Sequence, residues 1–329
     1  MIELKKNRLI ISFPEVHKDA TAVIEFKRTL RIPDDGQTYP LPPGFENFEL
    51  RHVEDYAATA PQWQAKGGVM MSMYQAEALW LNFGGDYPIA VKIGTGKINA
   101  VSGANWTEGM TRKSIAPAEW RVSRAGGDQN YVVIPQQPWL DGYCVGKGVI
   151  AQFVAMPLGQ GATAEEQING TTEGGLQIQA FPLKAEKWEE ILEERRKERE
   201  RTRDVHYSKM PRPSSAMGLA PGGRMKQKIH EDRYTADDWD TSLSSRCWVH
   251  ICNSEKWSQI TNEKPPHTPY SMEAYTKAGL PWFEYYCEDP AIPGSKVLNN
   301  LKTVSEFPVE AKTSPFDSGD GTLDEDVPF

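Results

Sequence analysis

Four cysteines in 329 residues are few, and no two of them form a Cys-x-x-Cys pair. Cys144, Cys247, Cys252 and Cys287 therefore lack the spacing of a redox motif or of a ribbon-type zinc site. Free thiols in a reducing cytoplasm are the expectation. Long apolar runs are also missing: no stretch approaches the about 18 residues of a membrane helix. The opening segment, Met1-Ile2-Glu3-Leu4-Lys5-Lys6, has no apolar core of the kind a secretory leader needs. There is no internal repeat. Basic excess is absent as well, since 37 Lys and Arg face 45 Asp and Glu for a net charge of −8. That balance is poor evidence for nucleic-acid binding, which shows a basic face, although a local groove would not register in a net count.

What is present is a folded composition, with 39% apolar and 25% charged residues. The length suits one large domain or two ordinary ones. The 24 prolines and 27 glycines favour strands joined by frequent turns over a helical bundle. Arg8–Phe13 and Ala22–Lys27 read as short strands, followed by a turn at Pro33-Asp34-Asp35-Gly36 and an irregular link, Pro40-Leu41-Pro42-Pro43-Gly44. Met73, Ala76, Trp80 and Phe83 recur at helical spacing, which predicts a helix from Ser72 to Phe83 ended by Gly84-Gly85.

Further along, Ile89–Ile93 and Lys97–Val101 flank Gly94-Thr95-Gly96 as a hairpin. Tyr131–Ile134, Val149–Val154 and Leu176–Phe181 extend the strand pattern, and Thr163-Ala164-Glu165-Glu166 matches a capping box. Residues 185–204 read as a charged helix, acidic first and Arg-rich later, with Glu193 and Lys197 placed for a pair and Trp188, Ile191 and Leu192 for a contact. Ser208–Gly223 reads as a linker, Arg246–Ile251 as a strand, and Ser271–Ala278 as a helix. The expected organisation is a β-rich unit over 1–184, a charged helix and linker over 185–223, a smaller α+β region over 224–304, and an acidic tail over 305–329. The expected fold class is β-dominated α+β: a sandwich or distorted barrel with a few peripheral helices and a disordered acidic tail.

No assembled catalytic, cofactor or metal site emerges. Gly94-Thr95-Gly96-Lys97 lacks both the leading glycine and the hydroxyl after the lysine that a phosphate loop needs. Cys247, His250 and Cys252 fall on one strand, where odd spacings diverge, so a half-buried strand is preferred to a zinc site. Cys144 has no neighbouring base in sequence and reads as a small buried thiol. Gly159-Gln160-Gly161 and Pro221-Gly222-Gly223-Arg224 could turn N–H groups toward an anion, but glycines also serve ordinary loops. The ten tryptophans carry more interest, because aromatics beside Lys or Arg stack unpaired bases while the cations hold the backbone. Trp106, Trp120 with Arg121 and Arg124, and Lys256 with Trp257 are the candidate nucleic-acid contacts, core and rim packing being the plainer use of such residues.

The tail differs in kind. From Asp317 to Phe329 it carries Asp317, Asp320, Asp324, Glu325 and Asp326 and no basic side chain. Asp324-Glu325-Asp326 leads into Val327-Pro328-Phe329, a charged strand with an aromatic anchor, which is the physical form of a docking peptide. It resembles the C-terminal tip of bacterial single-stranded DNA-binding proteins, with Val327 where that family has Ile or Leu. The resemblance implies a protein partner that reads such tips in replication or repair. The body lacks that family's N-terminal oligonucleotide-binding domain, and the linker before the tip is short.

A second resemblance covers roughly Arg8 to Val304. Tyr39-Pro40-Leu41-Pro42-Pro43-Gly44, Gln137–Cys144, Gln152–Gly159, Gly174-Gly175-Leu176-Gln177 and Gly279-Leu280-Pro281-Trp282-Phe283 resemble the blocks of a widespread bacterial family. It implies a bacterial or phage-like source and one integrated unit, but no activity or cofactor. The resulting expectation is a cytoplasmic, non-enzymatic binding protein that docks through its tip, with single-stranded DNA as a candidate ligand and no membrane association. The alternatives are a structural or interaction protein unrelated to DNA, and an enzyme of unrecognised type.

Overall fold

Two antiparallel-dominated sheets face each other across a shared apolar core in a computed structural model that describes residues 1–111, 129–199, 218–264, 268–269, 275 and 290–307. The larger sheet runs β1 (Ile2–Lys5), β2 (Arg8–Ser12), β3 (Thr21–Thr29), β8 (Ala78–Gly84), β14 (Val149–Met156), β16 (Gly218–Lys226) and β4 (Thr38–Tyr39). β5 (Gly44–Asn47) joins β3, β12 (Trp139–Leu140) joins β8, and β13 (Gly142–Gly146) joins β14. The second sheet runs β10 (Ile98–Asn99), β9 (Ile89–Thr95), β15 (Leu176–Pro182), β17 (Ser245–Asn253), β7 (Val69–Met73) and β6 (Arg51–His52), with β11 (Val132–Ile134) on β9. Among the described residues neither sheet closes into a barrel, so the sandwich is the form observed.

Alternation along the second sheet decides what each face does. Val91, Ile93 and Thr95 of β9 and Leu176, Ile178 and Ala180 of β15 share one face by register, and it is the inner one. The Tyr143 hydroxyl of β13 reaches across from the larger sheet to within 2.9 Å of Thr95 Oγ1 and donates to the Leu219 carbonyl at 2.8 Å. Lys92, Gly94, Gln177 and Gln179 are thereby turned to the outer face.

The helix expected over Ser72–Phe83 is two strands. β7 ends at Met73, Ala76 turns the chain at φ 66°, and β8 begins at Ala78 in the other sheet. The same residues also carry a period of two, with Leu79, Leu81 and Phe83 buried and Trp80 and Asn82 less so. Partners distant in sequence decide between the periods, since β3 sets Phe26 against Leu81 and Ile24 against Phe83. The crossing turn is held by an ion pair between Arg28 and Glu77 at 3.0 Å, with both side chains buried.

The linker expected over Ser208–Gly223 contains the start of β16, and the boundary expected at 223/224 falls inside that strand. Gly222 and Gly223 are there for close approach: a Cβ would lie 2.5 Å from Val154 Cγ2 at the first and 2.2 Å from the Pro33 carbonyl at the second. β17, from the region expected to pack on the first unit, lies between β15 and β7 inside the second sheet. The charged helix is observed as α3 (Ala185–Arg199), with Trp188 buried and Ile191 and Leu192 packed on the core. Glu193 pairs with Arg196 at 2.9 Å. The capping box at Thr163 and Glu166 opens a short helix, α2 (Ala164–Asn169).

Among the described residues Asp141 is a buried acid with no ion pair. Asp141, between β12 and β13, is 1% exposed, and burial pushes its carboxyl well above the ordinary range; its backbone amide donates to Gln227 Oε1 at 3.1 Å. A folded pKa raised above the unfolded one contributes stability at low pH that is lost as pH climbs from about 3.8 toward the folded value. Asp141→Asn should therefore raise the unfolding free energy at pH 7 by about 1–2 kcal/mol and leave it unchanged near pH 3. Thermal unfolding at the two pH values checks this; an equal effect at both would mean that ionisation is not the cause.

Candidate nucleic-acid interface

The outer face of the second sheet is built in rows. Register sets Lys92, Gln179 and Arg246 side by side on β9, β15 and β17, with Gly94, Gln177 and Trp248 in the next row. Gly94 leaves a seat in that row, and the Trp106 ring fills it; a Cβ on Gly94 would lie 2.5 Å from Trp106 Cε3. The loop after β10 returns Trp106 to this seat, with its amide donating to the Lys97 carbonyl at 2.7 Å.

Aromatic rings and cations then alternate across the face. Trp63, on the short helix α1 (Pro61–Lys66), stacks on His250 with centroids 5.0 Å apart and planes at 22°. His250 stacks on Trp248 at 6.0 Å and 9°. The Arg246 guanidinium lies 5.6 Å from the Trp248 ring and 5.9 Å from the Trp106 ring. Lys92 approaches Trp106 at 4.7 Å, while Lys66 and Lys97 approach Trp248 at 4.3 and 6.0 Å. Trp63, Trp106, Trp248, Lys66 and Lys97 are half-buried and Arg246 is exposed, so ring edges and these three cations meet solvent, whereas Lys92 is buried beneath Trp106.

Carboxylates temper this charge without cancelling it. Glu108 pairs with Arg246, and Glu173 pairs with Lys66 and lies 3.7 Å from Lys97. Four cations therefore meet two carboxylates, a local positive balance on a chain of net charge −8. The Lys66 ammonium holds Glu173 below the usual carboxylate range. Burial brings Lys92 down to about 8, with Glu108 pulling the other way, and its ammonium donates to the Thr107 and Gly109 carbonyls at 2.6 and 2.5 Å. Burial also lowers His250 to about 4, so its ring is a neutral member of the stack at pH 7.

Of the contacts read from sequence, Trp106 belongs to this face. Trp257 does not: it is 2% exposed on the inner side of α4 (Ser254–Thr261), where its ring is shut off from any ligand. Lys256 is exposed on the same helix. Trp120, Arg121, Arg124, the tip Asp324–Phe329, Cys287, and the helix expected over 271–278 apart from Tyr275 lie outside the described residues. Sequence reading passed over Trp63, Arg246, Trp248 and His250 as members of one site. The usable signal was Arg246-x-Trp248-x-His250 on a strand, which puts a cation and two rings on one face.

The remaining candidates resolve into structure. Gly94–Lys97 is the hairpin of β9 and β10, with Gly96 at φ 52°. The amides of Gly159 and Gly161 donate to Glu166 Oε1 at 2.6 and 3.1 Å, so that concavity holds one of the chain's own carboxylates. His250 Nε2 lies 2.9 Å from the Gly67 carbonyl, and Cys247 points to the opposite face of β17. Cys144, Cys247 and Cys252 are free thiols, each pushed up to about 12 by burial. Among the described residues no helix is long and apolar enough to cross a membrane. No family model, curated protein or solved structure matches the chain.

Proposed function

We propose that this chain is a non-enzymatic binding protein that holds single-stranded DNA on the tryptophan–arginine face of its second sheet and docks through its C-terminal tip onto a replication or repair partner. The observation that carries the reading is the alternation of half-exposed indoles with Arg246, Lys66 and Lys97 over the outer side of the second sheet. Unpaired bases stack on aromatic faces whatever their sequence, and the cations offset the phosphates. Arg246 and Trp248 stand on β17, so that part of the platform loses little freedom on binding.

Fluorescence anisotropy with a labelled oligo(dT) at two salt concentrations tests this. Wild type should bind with a marked salt dependence, and Trp248→Ala should weaken binding by about 1–3 kcal/mol. No binding at low salt, or Trp248→Ala binding like wild type, would remove the assignment. For the tip, Phe329→Ala should weaken a peptide–partner complex by roughly 2 kcal/mol, as truncation of a buried aromatic anchor does. Neutralising Asp324, Glu325 and Asp326 should mainly flatten its salt dependence. Titration of a labelled tip peptide onto a tip-reading repair protein gives both results, and equal binding by the Phe329→Ala peptide would reduce the tail to a solvated end.

A further inference from the structure

A cavity of about 450 Å³ opens beside Trp248, at the seam where the β1–β2 hairpin of the larger sheet meets β17 and β6 of the second. Its two halves differ in chemistry. The floor is aliphatic, made by Ile2, Leu4, Leu9 and Val69. The mouth carries Lys66 and Arg246, the cations that flank the Trp248 ring. Register explains the floor: Leu4 stands opposite Leu9, and Ile2 opposite Ile11, so alternate residues of the hairpin turn their side chains the same way. The seam exists because β7 pairs with β17 only from Val249 onward, leaving Arg246 to Trp248 without a β7 neighbour.

A ligand for this shape needs a planar or apolar body for the floor and an anionic group for the mouth. A nucleotide of single-stranded DNA has both, and its neighbour would already lie on Trp248. A cavity of this volume is in the range of small-ligand sites, and its lining mixes aliphatic residues with the polar groups of His52, Lys66 and Arg246. Unstacked bases of single strands are commonly splayed into such places beside an aromatic ring. Among the bases, thymine fits an aliphatic floor best, because its C5-methyl is the one apolar substituent that a base edge offers.

We infer that this cavity is a base pocket that takes one unstacked thymine of a bound strand, its methyl against Ile2 and Leu4 and its phosphate toward Lys66 and Arg246. The inference rests on the single-stranded DNA reading above and adds a base preference to it. Burying one methyl group corresponds to about a fourfold change in affinity.

The test compares oligo(dT) with oligo(dU) of equal length on the wild-type protein, since the two differ only in that methyl. Oligo(dT) should bind about fourfold more tightly. Ile2→Trp, on the half-exposed edge strand, should fill the pocket, weaken both oligomers and bring their ratio to one, the remaining affinity coming from the Trp106 and Trp248 face. Equal affinities of wild type for the two oligomers, with Trp248→Ala still weakening both, would overturn the base pocket and leave the stacking face standing. Failure of wild type to bind either oligomer would overturn both. The wild-type comparison does not depend on how the variant folds.

Discussion

Glu77→Gln should lower the unfolding free energy by about 3–5 kcal/mol, the cost of leaving a buried charge without its partner. Arg28 on β3 is 1% exposed and Glu77 2% exposed, with Nε and Oε1 3.0 Å apart. The substitution keeps the shape of the side chain and an acceptor for the Tyr74 amide, which now donates to Glu77 Oε2 at 3.0 Å. What it removes is the charge. The site is also where the chain leaves β7 for β8 and changes sheets, so its loss loosens the connection between the two layers. Chemical denaturation reads the change. The double variant Arg28→Met with Glu77→Leu should recover much of the loss, because two apolar groups of similar size replace a desolvated pair at little net cost. A Glu77→Gln loss under about 1 kcal/mol would show that the charge is well solvated in the folded protein.

Acid should destabilise the protein through His250 in a defined window. Burial between Trp63 and Trp248, with Lys66 near, lowers this imidazole from its ordinary 6.5 to about 4. As pH falls through 6.5 the unfolded chain takes up a proton that the folded chain refuses until about 4. Unfolding is favoured across that interval, by on the order of 3 kcal/mol in all. Below it both states are protonated and the slope from this group ends. Denaturation at pH 7.5, 5.5 and 4.5 should show the decline in wild type and a shallower one in His250→Gln, whose amide can still reach the Gly67 carbonyl. Parallel pH profiles for the two proteins would mean that His250 is protonated in the stack.

Much of the strand content was legible because its signal is local. The hairpin at Gly94–Gly96, the capping box at Thr163 and the strand at Arg246–Ile251 each depend on neighbours in sequence, and each is present. The β1–β2 hairpin was missed although Lys6 and Asn7 stand at φ 50° and 57°, since neither residue alone announces a turn of that hand. Ser72–Phe83 failed for a different reason. Its residues satisfy both periods, and only pairing with β3, some fifty positions earlier in the chain, selects strands.

The amino-acid sequence by itself determined the alternation that places Arg246, Trp248 and His250 on one side of β17, because a strand's period of two is a property of the backbone. It also determined the acidic tip and its apolar end. Only the tertiary structure decided that Lys92, Trp106 and Trp63, from three other segments, complete a single face with them, since rings and cations as far apart in the chain as Trp63 and His250 meet only through sheet register and the seat left by Gly94. The same long-range packing withdrew Trp257 into the core and opened the cavity at the seam of the two sheets. Stacking and desolvation depend on distance in space, and no spacing in the chain encodes that distance.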